Sequence, residues 1–204
     1  MLELDSTGTP IATTGPWSGL ERARVAMDGS GSDLVVPFAR TALMVGREGM
    51  VAVAATDSVD VTLFEGTRPT LRLMASVQRR PPTATERREW ESALKEQAPD
   101  VAADYLLAIR GLRGDAEFPA IGAIRVDRSG NLLIGGYVTK TGLRRTWRVF
   151  SRAGSPVGQF ELPSYVDPLV PGPSELLDVR DDRIAVLRVT GDEVAVEVLV
   201  LSRP

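Results

Sequence analysis

The chain contains no cysteine and no histidine. Their absence removes disulfides, thiolate and imidazole metal ligands, cysteine nucleophiles and every catalytic triad built on a histidine base. A cysteine-free chain suits any redox compartment, so this does not place the protein. Lysine and asparagine are scarce as well: only Lys95 and Lys140 among 24 basic residues, and Asn131 as the one asparagine. That bias reads as high-GC codon usage more readily than as a preference for guanidinium. No apolar run approaches the roughly 20 residues needed to span a bilayer. The start, Met1 to Asp5, lacks the basic and then apolar segments of a secretory signal. The compartment is therefore left open, with export expected only if further sequence lies upstream.

What is present fits a water-soluble globule. Hydrophobic residues make up 43% of 204 and charged residues 25%, which is neither a disordered nor a membrane composition. A formal net charge of -3 is too small to imply a nucleic acid, a membrane surface or a strongly charged substrate.

Short apolar runs bounded by Gly and Asp turns recur along the chain. One unit runs from about 121 to 163. It comprises Ile121 to Val126, a turn at Asp127-Arg128-Ser129-Gly130, and a run from Asn131 to Ile134. Thr146 to Phe150 follows, then a turn at Arg152 to Ser155 and a last run from Pro156 to Leu162. Gly130 suits the reversal because glycine accepts positive φ at no steric cost. An earlier unit has runs at 42–45, 50–54, 59–64 and 70–77, its first turn expected over Gly46 to Gly49. A third has runs at 176–179, 183–189 and 194–201, a turn at Asp181-Asp182, and no fourth run.

The opening residues align with one of these units. Leu4 to Ala12 matches Phe150 to Gly158, with Gly8 on Gly154 and Pro10 on Pro156. Residues 1–14 are thus expected to form a third-to-fourth-strand hairpin without its first two strands. Residues 14–37, rich in Gly, Ser and Asp around Asp28 to Ser32, read as a flexible connection. Arg79-Arg80-Pro81-Pro82 breaks the strand pattern. Thr83-Ala84-Thr85-Glu86 then reads as a capping box opening a helix to about residue 97, with Trp90, Ala93 and Leu94 on its apolar face. Pro99 interrupts, and Val101, Tyr105, Leu106 and Ile109 give a second short helix.

Four short strands with a Gly turn between the first two, at a repeat near 40 residues, match the blade of a β-propeller. Val126 to Ile134 and Val149 to Gly154 resemble bacterial six-bladed propellers of the NHL-like group, in which Asp-x-x-Gly-Asn and a later aromatic-Asp-x-x-Gly turn mark each blade. The resemblance covers most of residues 38–201. It implies an all-β partial propeller of about three four-stranded antiparallel blades plus a half-blade, with a helical insertion. The expected segments are a half-blade at 1–14, a blade at 38–78, the insertion at 83–110, a blade at 118–163 and an incomplete blade at 174–201. About three blades cannot close a ring of the usual 4 to 8. The expectation is an open arc that lacks upstream blades or combines with a second copy.

No catalytic, cofactor-binding or metal-binding residue is assigned, and no cofactor is expected. Related propellers hold a divalent cation through Glu, Asn and Asp, but Asn131 follows a turn glycine and reads as a turn former. Asp181-Asp182 reads as a solvated turn. Arg79-Arg80, Arg87-Arg88 and Arg144-Arg145 suggest anion binding, yet each lies beside acidic residues or in a loop, and solvated surface is the reading adopted. Trp90 and Trp147 read as packing, whereas Trp17 finds no place. Gly135-Gly136 lacks the lysine and helix of a phosphate loop. The expected function is a non-enzymatic interaction or ligand-binding scaffold for an unknown protein or small ligand, without nucleic acid or membrane insertion. Self-association through open blade edges is also expected. The alternatives are a fragment of a propeller hydrolase or lyase whose site lies in missing blades, and a purely structural open sheet.

Overall fold

A computed structural model describes residues 2–4, 6–13, 15–17, 19–27, 30–108, 110, 117–139, 143–164, 176–180, 182–190 and 193–200. The strands are β1 (Leu2–Leu4), β2 (Pro10–Thr13), β3 (Arg22–Met27), β4 (Ser30–Val35), β5 (Ala42–Arg47), β6 (Met50–Ala55), β7 (Val59–Glu65) and β8 (Arg68–Ala75). Two helices follow, α1 (Ala84–Gln97) and α2 (Pro99–Ala108). Then come β9 (Ile121–Val126), β10 (Leu132–Gly136), β11 (Arg144–Phe150), β12 (Pro156–Pro163), β13 (Leu176–Arg180), β14 (Arg183–Thr190) and β15 (Glu193–Val200). Every strand pairing is antiparallel, and the sheets are β5-β6-β7-β8, β9-β10-β11-β12, β13-β14-β15 and two hairpins, β1-β2 and β3-β4. The protein is mainly β, an open array of antiparallel sheets with a helical insertion.

Local chemistry accounts for the meanders. At the β9–β10 turn the Gly130 N–H donates to the Asp127 carbonyl at 3.1 Å, and Gly130 has φ +79°. The Asp127 carboxylate, buried, accepts from the Asn131 N–H at 2.8 Å and its side-chain amide at 2.7 Å. Asn131 is therefore a turn former, as its position after glycine suggests. The first turn of the earlier sheet is shorter than expected. Gly46 sits inside β5, opposite Val51, and the reversal is made by Glu48 and Gly49 at φ 48° and 81°. Positive φ at both central residues is what a two-residue hairpin turn requires, and Asx-free Glu48 gave no hint of it.

The β1–β2 hairpin and the β11–β12 hairpin share one loop geometry. Gly8 and Gly154 have φ 84° and 83°, and Pro10 and Pro156 pair with Leu4 and Phe150 across the same one-residue irregularity. Residues 14–37 depart from the flexible connection expected of them, because β3 and β4 form a hairpin there. The alternation in Arg22-Ala23-Arg24-Val25 carries β3, while Ser30-Gly31-Ser32 hid β4 behind turn-type residues.

The sheets pack face to face in chain order. Met50, Ala52, Ala54, Val59, Val61 and Leu63 meet Ile121, Ile124, Val126, Leu132 and Ile134 between the first and second sheets. Ala123, Leu133, Trp147 and Leu162 meet Leu176, Ile184 and Val186 between the second and third. Leading strands are also tied together: the Arg125 Nε donates to the Leu176 carbonyl at 2.8 Å, and Arg47 of β5 grips Asp178 of β13 in a two-pronged ion pair. That guanidinium holds the Asp178 carboxyl below its ordinary range.

The insertion is capped as its sequence dictates. The Glu86 N–H donates to Thr83 Oγ1 at 3.2 Å, and the Glu86 carboxylate accepts from the Thr83 N–H at 2.9 Å. Pro99 opens α2 rather than merely interrupting α1, since its missing N–H costs nothing at a first helical position. Trp90, Leu94, Ala102 and Tyr105 bury themselves with Phe38 and Phe118, forming a small core of their own.

Candidate functional site

The sheets leave a cleft of about 540 Å³ where the ends of β7–β8 and β10–β11 meet the residues flanking the insertion. Its position follows from the meander. β10 ends at Gly136, β11 begins at Arg144, and Tyr137 to Thr139 lead out of the sheet between them. On β11, Arg144, Thr146, Arg148 and Phe150 alternate onto the face toward the first sheet, and all four line the cleft. Val59 and Ala75 of the first sheet, and Gln78, Arg79, Arg80 and Phe118 beside the insertion, complete the lining.

Two arginine pairs read as separate stretches of solvated surface, Arg79-Arg80 and Arg144-Arg145, are thus brought to one place. Three of the four keep acidic partners at exposed or partly exposed positions: Arg79 with Glu117 at 2.8 Å, Arg80 with Glu86 at 2.6 Å and Arg144 with Glu161 at 3.1 Å. Arg145 is the correction. Far from being solvated, it is 4% exposed, and its Nη1 donates to the Gly136 carbonyl at 2.9 Å. Two glycines make room for it. A Cβ at Gly135 would lie 2.7 Å from Arg145 Cδ, and one at Gly122 would lie 2.3 Å from Nη1. Gly135 therefore serves side-chain packing, and the phosphate-loop question does not arise. Of the third pair, Arg88 donates to the Ala84 carbonyl at 3.3 Å, and neither Arg87 nor Arg88 lines the cleft.

Two titratable groups at the cleft, Glu86 and Tyr137, are shifted further from neutral pH. Glu86 is its one carboxylate among the described residues; the Arg80 guanidinium first, then the Thr83 N–H and hydroxyl, hold its carboxyl down to about 2. Burial pushes the Tyr137 hydroxyl up to about 12, against a small opposing pull from Arg145. Tyr137 stacks on Phe118 at 5.6 Å, and the Arg80 guanidinium lies 5.0 Å over the Phe118 ring.

The remaining candidates scatter. Trp147 is fully buried and Trp90 lies in the insertion core, both as packing residues. Trp17, unplaced by sequence reasoning, sets its edge against Phe64 with centroids 5.9 Å apart. Asp182 is exposed beside Arg183, and Asp181 lies outside the described residues. Among the described residues no three acidic side chains gather in a group that could hold a metal ion, and no helix is long and apolar enough to cross a membrane. No protein-family model matches the chain, and no curated protein matches its sequence.

Proposed function

We propose that the chain is a non-enzymatic binding scaffold whose sheets are blades of the propeller kind, and that its ligand site is the cleft between the first two four-stranded sheets. The observation that carries this is the convergence of Arg79-Arg80 and Arg144-Arg145, separated by more than sixty residues of chain, on one cleft of about 540 Å³. A cavity of that size with convergent polar groups and apolar walls is the ordinary form of a small-molecule site. A binding role is favoured over catalysis by the protonation states. General acid–base chemistry needs a group that exchanges its proton near the working pH. Glu86, at about 2, stays ionised and is engaged by Arg80 and Thr83; Tyr137, at about 12, stays protonated. The propeller reading draws support from the face-to-face order of the sheets, their linked leading strands and the common loop of the β1–β2 and β11–β12 hairpins.

A fragment screen by protein-observed NMR tests the site. Hits are expected to shift the amides of Tyr137, Thr139, Thr146 and Arg148 together. Hits that gather on β15 or on the leading strands instead would move the site elsewhere.

A further inference from the structure

We infer that this cleft selects a small organic monoanion, a carboxylate carried on an apolar body. The inference rests on the reading of the cleft as the ligand site and names what that site takes.

Five arginines line the cleft, Arg79, Arg80, Arg144, Arg148 and the buried Arg145, against the single carboxylate of Glu86 among the described residues. Most of this charge is already spoken for, which narrows the ligand. Arg79, Arg80 and Arg144 hold acidic partners, and Arg145 is buried on the Gly136 carbonyl and other contacts. Arg148 differs. It stands exposed on β11, facing the cleft between Thr146 and Phe150, and among the described residues it forms no ion pair. The Tyr137 hydroxyl likewise makes no hydrogen bond among the described residues, and a phenol is a donor at neutral pH. The one uncommitted cation among the described lining residues is thus the Arg148 guanidinium fork, and the neutral side-chain donors without a hydrogen bond there are those of Tyr137, Gln78 and Thr139.

That set matches a carboxylate. Two oxygens meet the fork side by side, and one can accept a further hydrogen bond. A phosphate dianion brings three oxygens and a second charge, for which the described lining residues hold no other uncommitted cation. Beyond the polar end, Val59, Ala75, Ile134, Leu143 and Phe150 supply an apolar surface suited to a hydrocarbon or ring. Those residues would gain nothing from a small inorganic anion. A polyanion fits no better, because the chain as a whole carries -3.

The test uses the whole chain at low ionic strength, with benzoate, its neutral isostere benzamide and inorganic phosphate as probes, followed by NMR titration. Benzoate is expected to bind at Tyr137, Thr146 and Arg148 about tenfold tighter than benzamide, the ratio one charge-assisted hydrogen bond supplies. Arg148→Gln should erase that ratio while leaving the melting temperature unchanged, and Tyr137→Phe should weaken benzoate without abolishing it. Benzamide binding the cleft as tightly as benzoate overturns anion selection but keeps the cleft as a ligand site. Phosphate binding tighter than benzoate overturns the apolar body. If no probe moves a cleft amide, the inference fails, and the fragment screen then decides whether the cleft binds anything.

Discussion

The second four-stranded sheet and the three-stranded sheet beside it are built from the same kind of strand, yet they live in different surroundings. In β9 and β10 of the second sheet both faces are covered. Ile124, Val126, Leu132 and Ile134 pack on the first sheet, and Ala123, Leu133 and Trp147 pack on the third. In β13–β15 one face is covered, by way of Leu176, Ile184 and Val186, and the other is open. Val194, Val196, Val198 and Val200 of β15 are 61–66% exposed on that open face. Apolar alternation therefore records what a strand is able to bury, and position in the stack decides what it does bury. Stability should follow position, with equal hydrophobicity worth much in the middle sheet and little on the last.

The largest effect is expected at Trp147, which is fully buried and stacked on Phe160 with centroids 6.5 Å apart. Trp147→Ala should cost about 3–5 kcal/mol, since the indole fills the junction between the second and third sheets and a cavity replaces it. A urea melt measures this directly. A loss below about 1 kcal/mol would mean that the junction is not the tight interior described.

Gly135→Ala is the next test, and it works in the opposite sense, by overfilling. Its new methyl would meet Arg145 Cδ at 2.7 Å and two indole carbons of Trp147 at 3.2 Å. Neither neighbour has room to retreat, so the substitution should cost about 1–3 kcal/mol. The control is Gly158→Ala on the outer strand β12, where a Cβ would meet nothing within 4 Å. Equal melting temperatures for the two variants would dissolve the glycine slot.

The difference between these two glycines also shows where sequence reasoning stops. Features set by a few consecutive residues were legible. The Asp127 to Gly130 turn and the Thr83–Glu86 box are formed by residues three apart, and both occur as expected. Arg145 and the cleft were not legible, because they depend on Gly122, Gly135 and two loops meeting in space. An arginine beside another arginine in a charged stretch carries no local mark of burial. β3–β4 escaped for another reason, as Ser30-Gly31-Ser32 has turn chemistry while being held in a strand by its partner.

Thr83→Ala carries the comparison to a helix end, outside the stacked sheets. Loss of the hydroxyl that accepts from the Glu86 N–H should cost about 1 kcal/mol and speed amide exchange at Glu86. Acid should have a related effect. Glu86 has its pKa lowered from 4.5 to about 2, so its contribution is complete above pH 4.5 and disappears as pH falls toward 2. The protection factor at Glu86, its exchange rate relative to the intrinsic rate at each pH, should therefore fall in the parent between pH 5 and pH 2. In Glu86→Gln the fall should be smaller. Identical profiles would remove the cap from the account.

The smallest effect is expected at Val196, and it bears most directly on the two sheets. Val196 projects from the middle of β15 on the same face as Val194 and Val198, opposite Leu187 of β14, and is 63% exposed. Threonine has nearly the same shape and keeps the preference for extended backbone. If the face is wet, Val196→Thr replaces one solvated methyl by a solvated hydroxyl and should change stability by no more than about 0.5 kcal/mol. If a second copy covers the face, the hydroxyl is buried without a partner, and the cost rises to about 1–3 kcal/mol. The two cases also separate by concentration, because a covered face makes the melting temperature rise with protein concentration and an open one does not. An unchanged midpoint in Val196→Thr is the expected result. A midpoint that falls by the larger amount would show that β15 is buried in solution, and would place the last sheet beside the second as an interior one.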